Sequence, residues 1–92
     1  MSVIVRFLSV FPELRGPKKV AKANPASLGE IIHQLENEIP GLKKKLITKE
    51  GKIHPAYIIT LKRGKTQKLC KDMNHIVKEG DEVIILPVIS GG

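Results

Sequence analysis

The stretch that decides the fold is Glu82-Val83-Ile84-Ile85-Leu86-Pro87-Val88-Ile89-Ser90-Gly91-Gly92. Its first half is a nearly unbroken apolar run, which is typical of a strand buried on both faces of a sheet. Pro87 fixes its own φ and has no N–H, so we expect strand pairing to weaken there. Beyond it, residues 88–92 reach outward by roughly 17 Å if they are extended at about 3.4 Å per residue.

The Gly-Gly ending makes the last part of the chain thin. The carboxylate of Gly92 has no side chain beside it, and glycine adopts backbone conformations barred to other residues. Such an end can thread a narrow channel and present its carboxylate to another protein's active site. The plain alternative is that these glycines have no role, because terminal residues fray in most domains.

Length and composition predict one small globular domain. The chain has 92 residues, of which 41% are hydrophobic, and Cys70 is its single cysteine, so no internal disulfide is possible. Lys68 and Lys71 lie near Cys70 and would lower the pKa of its thiol, although an ordinary thiol at a strand end is the simpler expectation. No signal peptide precedes residues 3–5 and no apolar run could span a bilayer, which predicts a cytoplasmic protein.

The formal charge of +7 raises the question of a nucleic-acid partner. The basic residues cluster at Lys18-Lys19, at residues 43–45 and within residues 62–71. Two phenylalanines and one tyrosine are the whole aromatic set, too few for platforms that stack bases. We therefore expect a solvated basic surface that secondarily steers docking onto acidic partners, and we consider nucleic acid an unlikely partner.

The clearest helix covers residues 27–39. Ser27 is a favourable N-cap, and Glu30 three residues later completes a capping box. Five apolar residues recur on one helical face, and Pro40-Gly41 ends the pattern: Leu28, Ile31, Ile32, Leu35 and Ile39.

The other segments predict strands. Alternation predicts a first strand at residues 3–8, a turn region at 11–17 and a weaker strand at 18–23. Further strands are expected at 46–48, 56–61 and 66–69, with a loop at 49–55 and a tight turn at 62–65. Residues 71–80 are expected to connect to the last strand through one helical turn. The first and last strands should lie centrally in a mixed sheet packed on one main helix, an α+β fold.

Two segments resemble a known family. Residues 80–92, GDEVIILPVISGG, resemble the ending of the MoaD-type sulfur carriers, commonly GDEVxxxPPVSGG, and residues 3–7 with 13–16 resemble that family's opening strand and following loop. Pro87-Val88 departs from the two prolines of many members, and the chain is longer between Pro40 and Thr66. The resemblance implies a ubiquitin-like β-grasp domain at residues 1–87 and a flexible tail at 88–92.

The resemblance also implies a chemistry for the tail. Gly92 would be adenylated by an ATP-dependent MoeB-like or ubiquitin-activating-like enzyme and converted to a thiocarboxylate. Gly91 would be a slender spacer, and Val88, Ile89 and Ser90 would lie in a partner's channel. The implied partner is a MoaE-like large subunit of molybdopterin synthase, to which the thiocarboxylate delivers sulfur for a molybdopterin or tungsten-pterin cofactor.

The chain by itself carries little catalytic equipment. It has no GxxxxGK loop, no zinc-ligand spacing and no nucleophile–base pair, and its histidines at 33, 54 and 75 are scattered. His33 is expected to be exposed on the helix. We therefore predict a non-enzymatic sulfur donor that binds no metal or cofactor, with ATP used by the partner.

Two questions stay open on the sequence. A ubiquitin-like modifier joined to lysines through Gly92 would use the same activated glycine and differ only in the final nucleophile. Phe7, Val83 and Ile85 would belong either to the core or to a docking face.

Overall fold

The computed structural model describes residues 2–89, which form seven strands and three short helices. The strands are β1 Val3–Phe7, β2 Val20–Ala23, β3 Ala26–Ser27, β4 Tyr57–Arg63, β5 Thr66–Leu69, β6 Ile76–Val77 and β7 Glu82–Pro87. The helices are α1 Pro12–Arg15, α2 Leu28–Glu36 and α3 Leu42–Leu46.

The main sheet has five strands in the order β2-β1-β7-β4-β5, and β3 pairs with β6 in a separate sheet of two strands. β1 and β7 run parallel in the middle, whereas the other pairs of the main sheet are antiparallel. α2 packs across the sheet and contacts β2. The predicted α+β architecture, a mixed sheet on one main helix, is confirmed, and it is a ubiquitin-like β-grasp.

The central strands bury only one face. In β1, Val3, Val5 and Phe7 are buried while Ile4 is exposed; in β7, Val83 and Ile85 are fully buried. The expectation that these strands are covered on both faces is wrong, because the helices lie on one side and leave the other side to solvent. Phe7, Val83 and Ile85 therefore belong to the core, which answers the question left open by the sequence.

Helix α2 begins as predicted and ends early. The Ser27 hydroxyl accepts a hydrogen bond from the Glu30 N–H at 3.3 Å, and the predicted apolar face is buried. The helix ends at Glu36 rather than at Ile39. Ile39 is nevertheless buried, because the chain makes a tight turn in which its N–H donates to the Leu35 carbonyl at 2.8 Å.

The segment before β7 closes the start of α2. The N–H groups of Leu28 and Gly29 donate to the carbonyls of His75 and Met73 at 2.8 and 2.9 Å. These bonds satisfy helix-start donors that have no partner within the helix. The expected helical turn in residues 71–80 is wrong: the segment instead forms β6, which pairs with β3.

The predicted strand at residues 46–48 is also wrong. Residues 42–46 form α3, with Leu42 and Leu46 buried one turn apart, and only an isolated bridge joins Ile47 to Ile53. The Glu36 carboxylate accepts the backbone N–H groups of Gly41 and Lys43, both at 2.8 Å. These bonds lower the pKa of Glu36 and hold α3 against the end of α2.

Pro87 does not interrupt the pairing between β7 and β4. Tyr57 pairs with Pro87, and the Val88 N–H still donates to the Ala56 carbonyl at 2.9 Å. Backbone groups alternate direction along a strand, so the missing N–H of Pro87 falls on the β1 side, and β1 has ended by then. The expected weakening at Pro87 is therefore wrong on the β4 side.

Candidate functional site

The last described residues leave the sheet from its central strand. The Val88 N–H donates to the Ala56 carbonyl. Val88 is half exposed and Ile89 is 85% exposed. Ser90, Gly91 and Gly92, which carry most of the predicted site, lie outside the described residues. The structure thus describes the base of the predicted tail, and this base points away from the core.

An aromatic cluster lies beside the tail base. Tyr57, opposite Pro87, packs with its ring centroid 4.8 Å from that of Phe11 and 5.6 Å from that of His54. His54 Nδ1 accepts the Ala56 N–H at 3.1 Å. Sequence reasoning missed this cluster, because Phe11 is distant in sequence from His54 and Tyr57 and no spacing predicts that the three rings meet.

The side of the main sheet that carries no helix is called the open face here. Strand register places on it the alternate residues Ile4, Arg6, Leu8, Ile58, Thr60, Lys62, Glu82, Ile84 and Leu86. Leu8, Ile58 and Leu86 lie at the end from which the tail leaves, and charged side chains lie toward the other end. Leu8 is 43% exposed. The open face is therefore an accessible, partly apolar surface that continues into the tail base.

Each face of the main sheet has one arginine–carboxylate pair near the start of β7. On the helix-packed side, Arg63 donates to both Asp81 oxygens at 2.9 and 2.7 Å, and the Lys78 N–H donates to Asp81 at 2.7 Å. The Arg63 hydrogen bonds, followed by the Lys78 bond, hold the pKa of Asp81 below its ordinary value. On the open face, Arg6 meets Glu82 through longer contacts of 3.3 Å.

The cysteine and the histidines form no reactive cluster. Burial, with a smaller contribution from Asp72, raises the pKa of the Cys70 thiol to about 11, so Lys68 and Lys71 do not activate it and the expectation of an ordinary thiol is confirmed. His33 is exposed on α2, as predicted. Within residues 2–89, no group of three or more His, Cys, Asp or Glu side chains has the arrangement of a metal site. Across the same range, no helix has both the length and the apolarity to cross a membrane.

A family model matches residues 5–92, and its description is the ThiS family. The chain belongs to the ThiS family. No curated protein sequence matches it. The match spans the end of β1, helix α2 and the whole tail, so it includes the predicted site residues that the structure leaves undescribed.

Solved structures of ubiquitin-like proteins are similar to this ThiS-family chain. The BexX/CysO complex of Amycolatopsis orientalis contains a chain with 27% identity and a TM-score of 0.82, covering 98% of this chain and 99% of that chain. A complex of subunits 1 and 2 of the Helicobacter pylori molybdopterin-converting factor gives 24% identity and a TM-score of 0.60, with both chains covered completely. SAMP1 of Haloferax volcanii gives 19% identity and a TM-score of 0.72, again with complete coverage.

These likenesses confirm the fold, and the match to the family model confirms the class of protein. The chain is a member of a family of small ubiquitin-like sulfur carriers, which do not generally catalyse reactions themselves. Two of the similar structures are protein–protein complexes. The similar proteins are named for different functions, so the family does not by itself select one pathway for this chain.

Proposed function

We propose that the protein carries sulfur on Gly92 for synthesis of a molybdopterin or tungsten-pterin cofactor. The observation that carries the proposal is the exit of the chain at Val88 and Ile89, outward from a rigid central strand and beside an uncovered apolar surface. A carrier needs this combination of a fixed handle and a projecting end. The sequence likeness of residues 80–92 to MoaD-type endings supports it.

The proposed chemistry uses ATP bound by a partner enzyme. A Gly92 carboxylate oxygen attacks the α-phosphorus of ATP and pyrophosphate leaves, which gives an acyl adenylate. A sulfide-level nucleophile supplied by the partner then attacks the glycyl carbonyl and AMP leaves, so that the product is a thiocarboxylate. Adenylation is needed because a free carboxylate has no good leaving group, and glycine leaves the carbonyl unhindered.

The body of the protein contributes docking in this proposal. An adenylating enzyme of the MoeB or ubiquitin-activating type would contact the open face near Leu8, Ile58 and Leu86 while the tail enters its active site. Ser90 and Gly91 fit the narrow part of such a channel because their side chains are minimal. A MoaE-like large subunit would take the loaded tail by the same surface, since both partners must receive the same end.

Mass spectrometry of the intact protein tests the proposal. We expect the chain, coexpressed with the adenylating enzyme of its own organism, to gain the mass difference of one oxygen replaced by sulfur. Deletion of Gly92 should abolish this gain, whereas Glu50→Ala, an exposed loop change, should leave it unaltered. The loaded protein should then convert a sulfur-free pterin precursor only with the MoaE-like subunit present.

The alternative function gives a different result in the same cells. A protein modifier would form a series of conjugates with lysines of other proteins, and these conjugates would disappear when Gly92 is deleted. If the intact chain gains neither sulfur nor conjugates beside an active adenylating enzyme, both functions are wrong.

A further inference from the structure

We propose that the outer edge of β5 binds an extended, acidic segment of a partner protein, which adds to the main sheet as a further strand. This surface is separate from the tail, and binding there does not require Gly92. The edge has free backbone groups, no covering strand within the described residues, a positive charge and side chains placed to meet such a segment.

The register shows which backbone groups of β5 are free to pair. β5 is the last strand of the main sheet and pairs with β4 alone among the strands of residues 2–89. The Cys70 N–H donates to the Ile59 carbonyl at 2.8 Å, so Lys68 and Thr66, which lie at alternate positions before Cys70, also direct their backbone groups toward β4. In an antiparallel pair of strands, the backbone groups of the residues between these positions point away from the paired strand. The N–H and C=O groups of Gln67 and Leu69 therefore face outward.

The β5 edge is short and carries a lysine, two of the usual protections of sheet edges, but within residues 2–89 no further strand covers it. All four residues of β5 are exposed, and Leu69 is 56% exposed. Its register with β4 is regular, and it contains no proline. The opposite edge differs: β2 has two buried residues, and the Gln34 side chain bonds to both backbone groups of Asn24 just after the strand ends.

The charge around β5 determines the kind of partner. Lys62, Lys65, Lys68 and Lys71 are all exposed, and none of them takes part in an ion pair within residues 2–89. A second copy of this chain would bring these lysines against each other, and the repulsion opposes self-pairing. An acidic segment instead gains from electrostatic complementarity, which favours it over neutral or basic strands.

Side-chain directions predict the partner's pattern. Lys68 pairs with Leu61 and lies on the helix-packed side of the sheet, whereas Leu69 pairs with Thr60 and lies on the open face. Residues directly opposite one another across two strands share a face. The partner strand should therefore alternate acidic residues, facing Lys68, with apolar residues that cover Leu69.

Nuclear magnetic resonance of the isotopically labelled full chain tests this proposal with a defined probe. The probe is a blocked peptide of alternating glutamate and valine, and its control replaces each glutamate with lysine. We expect the glutamate peptide to shift the amide signals of Gln67 and Leu69, to slow their hydrogen exchange and to bind less tightly as salt rises. The lysine peptide should produce none of these changes.

Matched variants separate strand addition from simple charge attraction. Gln67→Pro removes an outward N–H that the protein's own sheet does not use, and proline is tolerated on edge strands. We expect Gln67→Pro to weaken binding by about tenfold or more, because the peptide loses a backbone hydrogen bond and the strand register that this bond fixes. Gln67→Ala should bind normally. Lys68→Glu should also weaken binding, and deletion of Gly91-Gly92 should not.

Three results would overturn the proposal. Equal binding by Gln67→Pro and Gln67→Ala would mean that the peptide uses only surface charge. Binding of the lysine peptide as tightly as the glutamate peptide would exclude charge selection. Concentration-dependent dimerisation that Gln67→Pro abolishes would assign the edge to a second copy of the chain. Because none of these readouts uses Gly92, they are independent of whether sulfur loading succeeds.

Discussion

The helix-packed face and the open face of the main sheet differ most clearly along β7, where consecutive residues belong to opposite faces. Asp81, Val83 and Ile85 point toward the helices and are buried, whereas Glu82 and Ile84 point to the open face and are only partly buried. Each face thus has aliphatic residues and one carboxylate paired with an arginine. What distinguishes them is the access of water to these groups.

The two arginine–carboxylate pairs differ in their contribution to stability, because water reaches one pair more than the other. The Asp81 side chain is 2% exposed, so loss of its partners would leave polar groups with little access to solvent. Arg6 and Glu82 are 43% and 24% exposed, and exposed ion pairs add little to stability. The helix-packed face therefore contributes more to stability, and the open face remains available for binding.

The largest expected effect comes from Ile85→Ala. Removing a fully buried isoleucine side chain leaves a cavity in the core, so we expect a loss of about 2–5 kcal/mol in the free energy of unfolding. The matched change on the other face, Ile84→Ala, should cost less than half as much. Urea unfolding measures both values, and similar losses would show that the two faces are equally packed.

A smaller effect is expected from Asp81→Asn, which keeps the shape of the side chain but removes its charge. We expect a loss of about 1.5–3 kcal/mol at neutral pH, the range for hydrogen bonds to charged groups. Glu82→Gln on the open face should cost less than about 1 kcal/mol. Equal costs at the two positions would contradict the assignment of stability to the buried pair.

The same pair predicts a pH dependence. The pKa of Asp81 in the folded protein lies below its ordinary value of 3.8, so its contribution is complete above that value. It is lost as the pH falls through the folded-state pKa, where the carboxylate takes up a proton. The stability difference between wild type and Asp81→Asn should therefore shrink with acidification in this range.

Leu8→Glu is expected to have the smallest effect on stability. Its effect on sulfur loading should be large. Leu8 is 43% exposed on the open face, so the free energy of unfolding should change by about 0.5 kcal/mol or less. If this face docks the adenylating enzyme, sulfur loading should fall about tenfold or more, as for a charge placed in an apolar contact. Ile76→Glu, at a residue 58% exposed on β6, is the matched control and should load normally.

Unaltered loading of Leu8→Glu would remove the open face from the docking surface without touching the proposed chemistry of Gly92. Loss of loading in both variants would point to damage of the fold, which the unfolding measurements would detect.

Local patterns carried the correct predictions. The apolar spacing from Leu28 to Leu35 and the cap at Ser27 predicted α2, because both depend on residues within a few positions of each other. The turn around Gly64 between β4 and β5 was equally local. The predicted strand at 46–48 failed because Leu42 and Leu46 have helical spacing, and because Glu36, from a different element, closes the start of α3.

The sequence by itself determined the first and last strands, helix α2 with its cap, the β-grasp fold implied by its two ends, and the glycine on which the proposed chemistry depends. Only the tertiary structure decided that one face of the central strands stays uncovered, that Phe11, His54 and Tyr57 meet at the tail base, and that β5 presents a free edge. Alternation along a strand separates two sets of side chains, but the helix and neighbouring strands that cover either set come from distant parts of the chain. Burial is therefore a property of the assembled molecule.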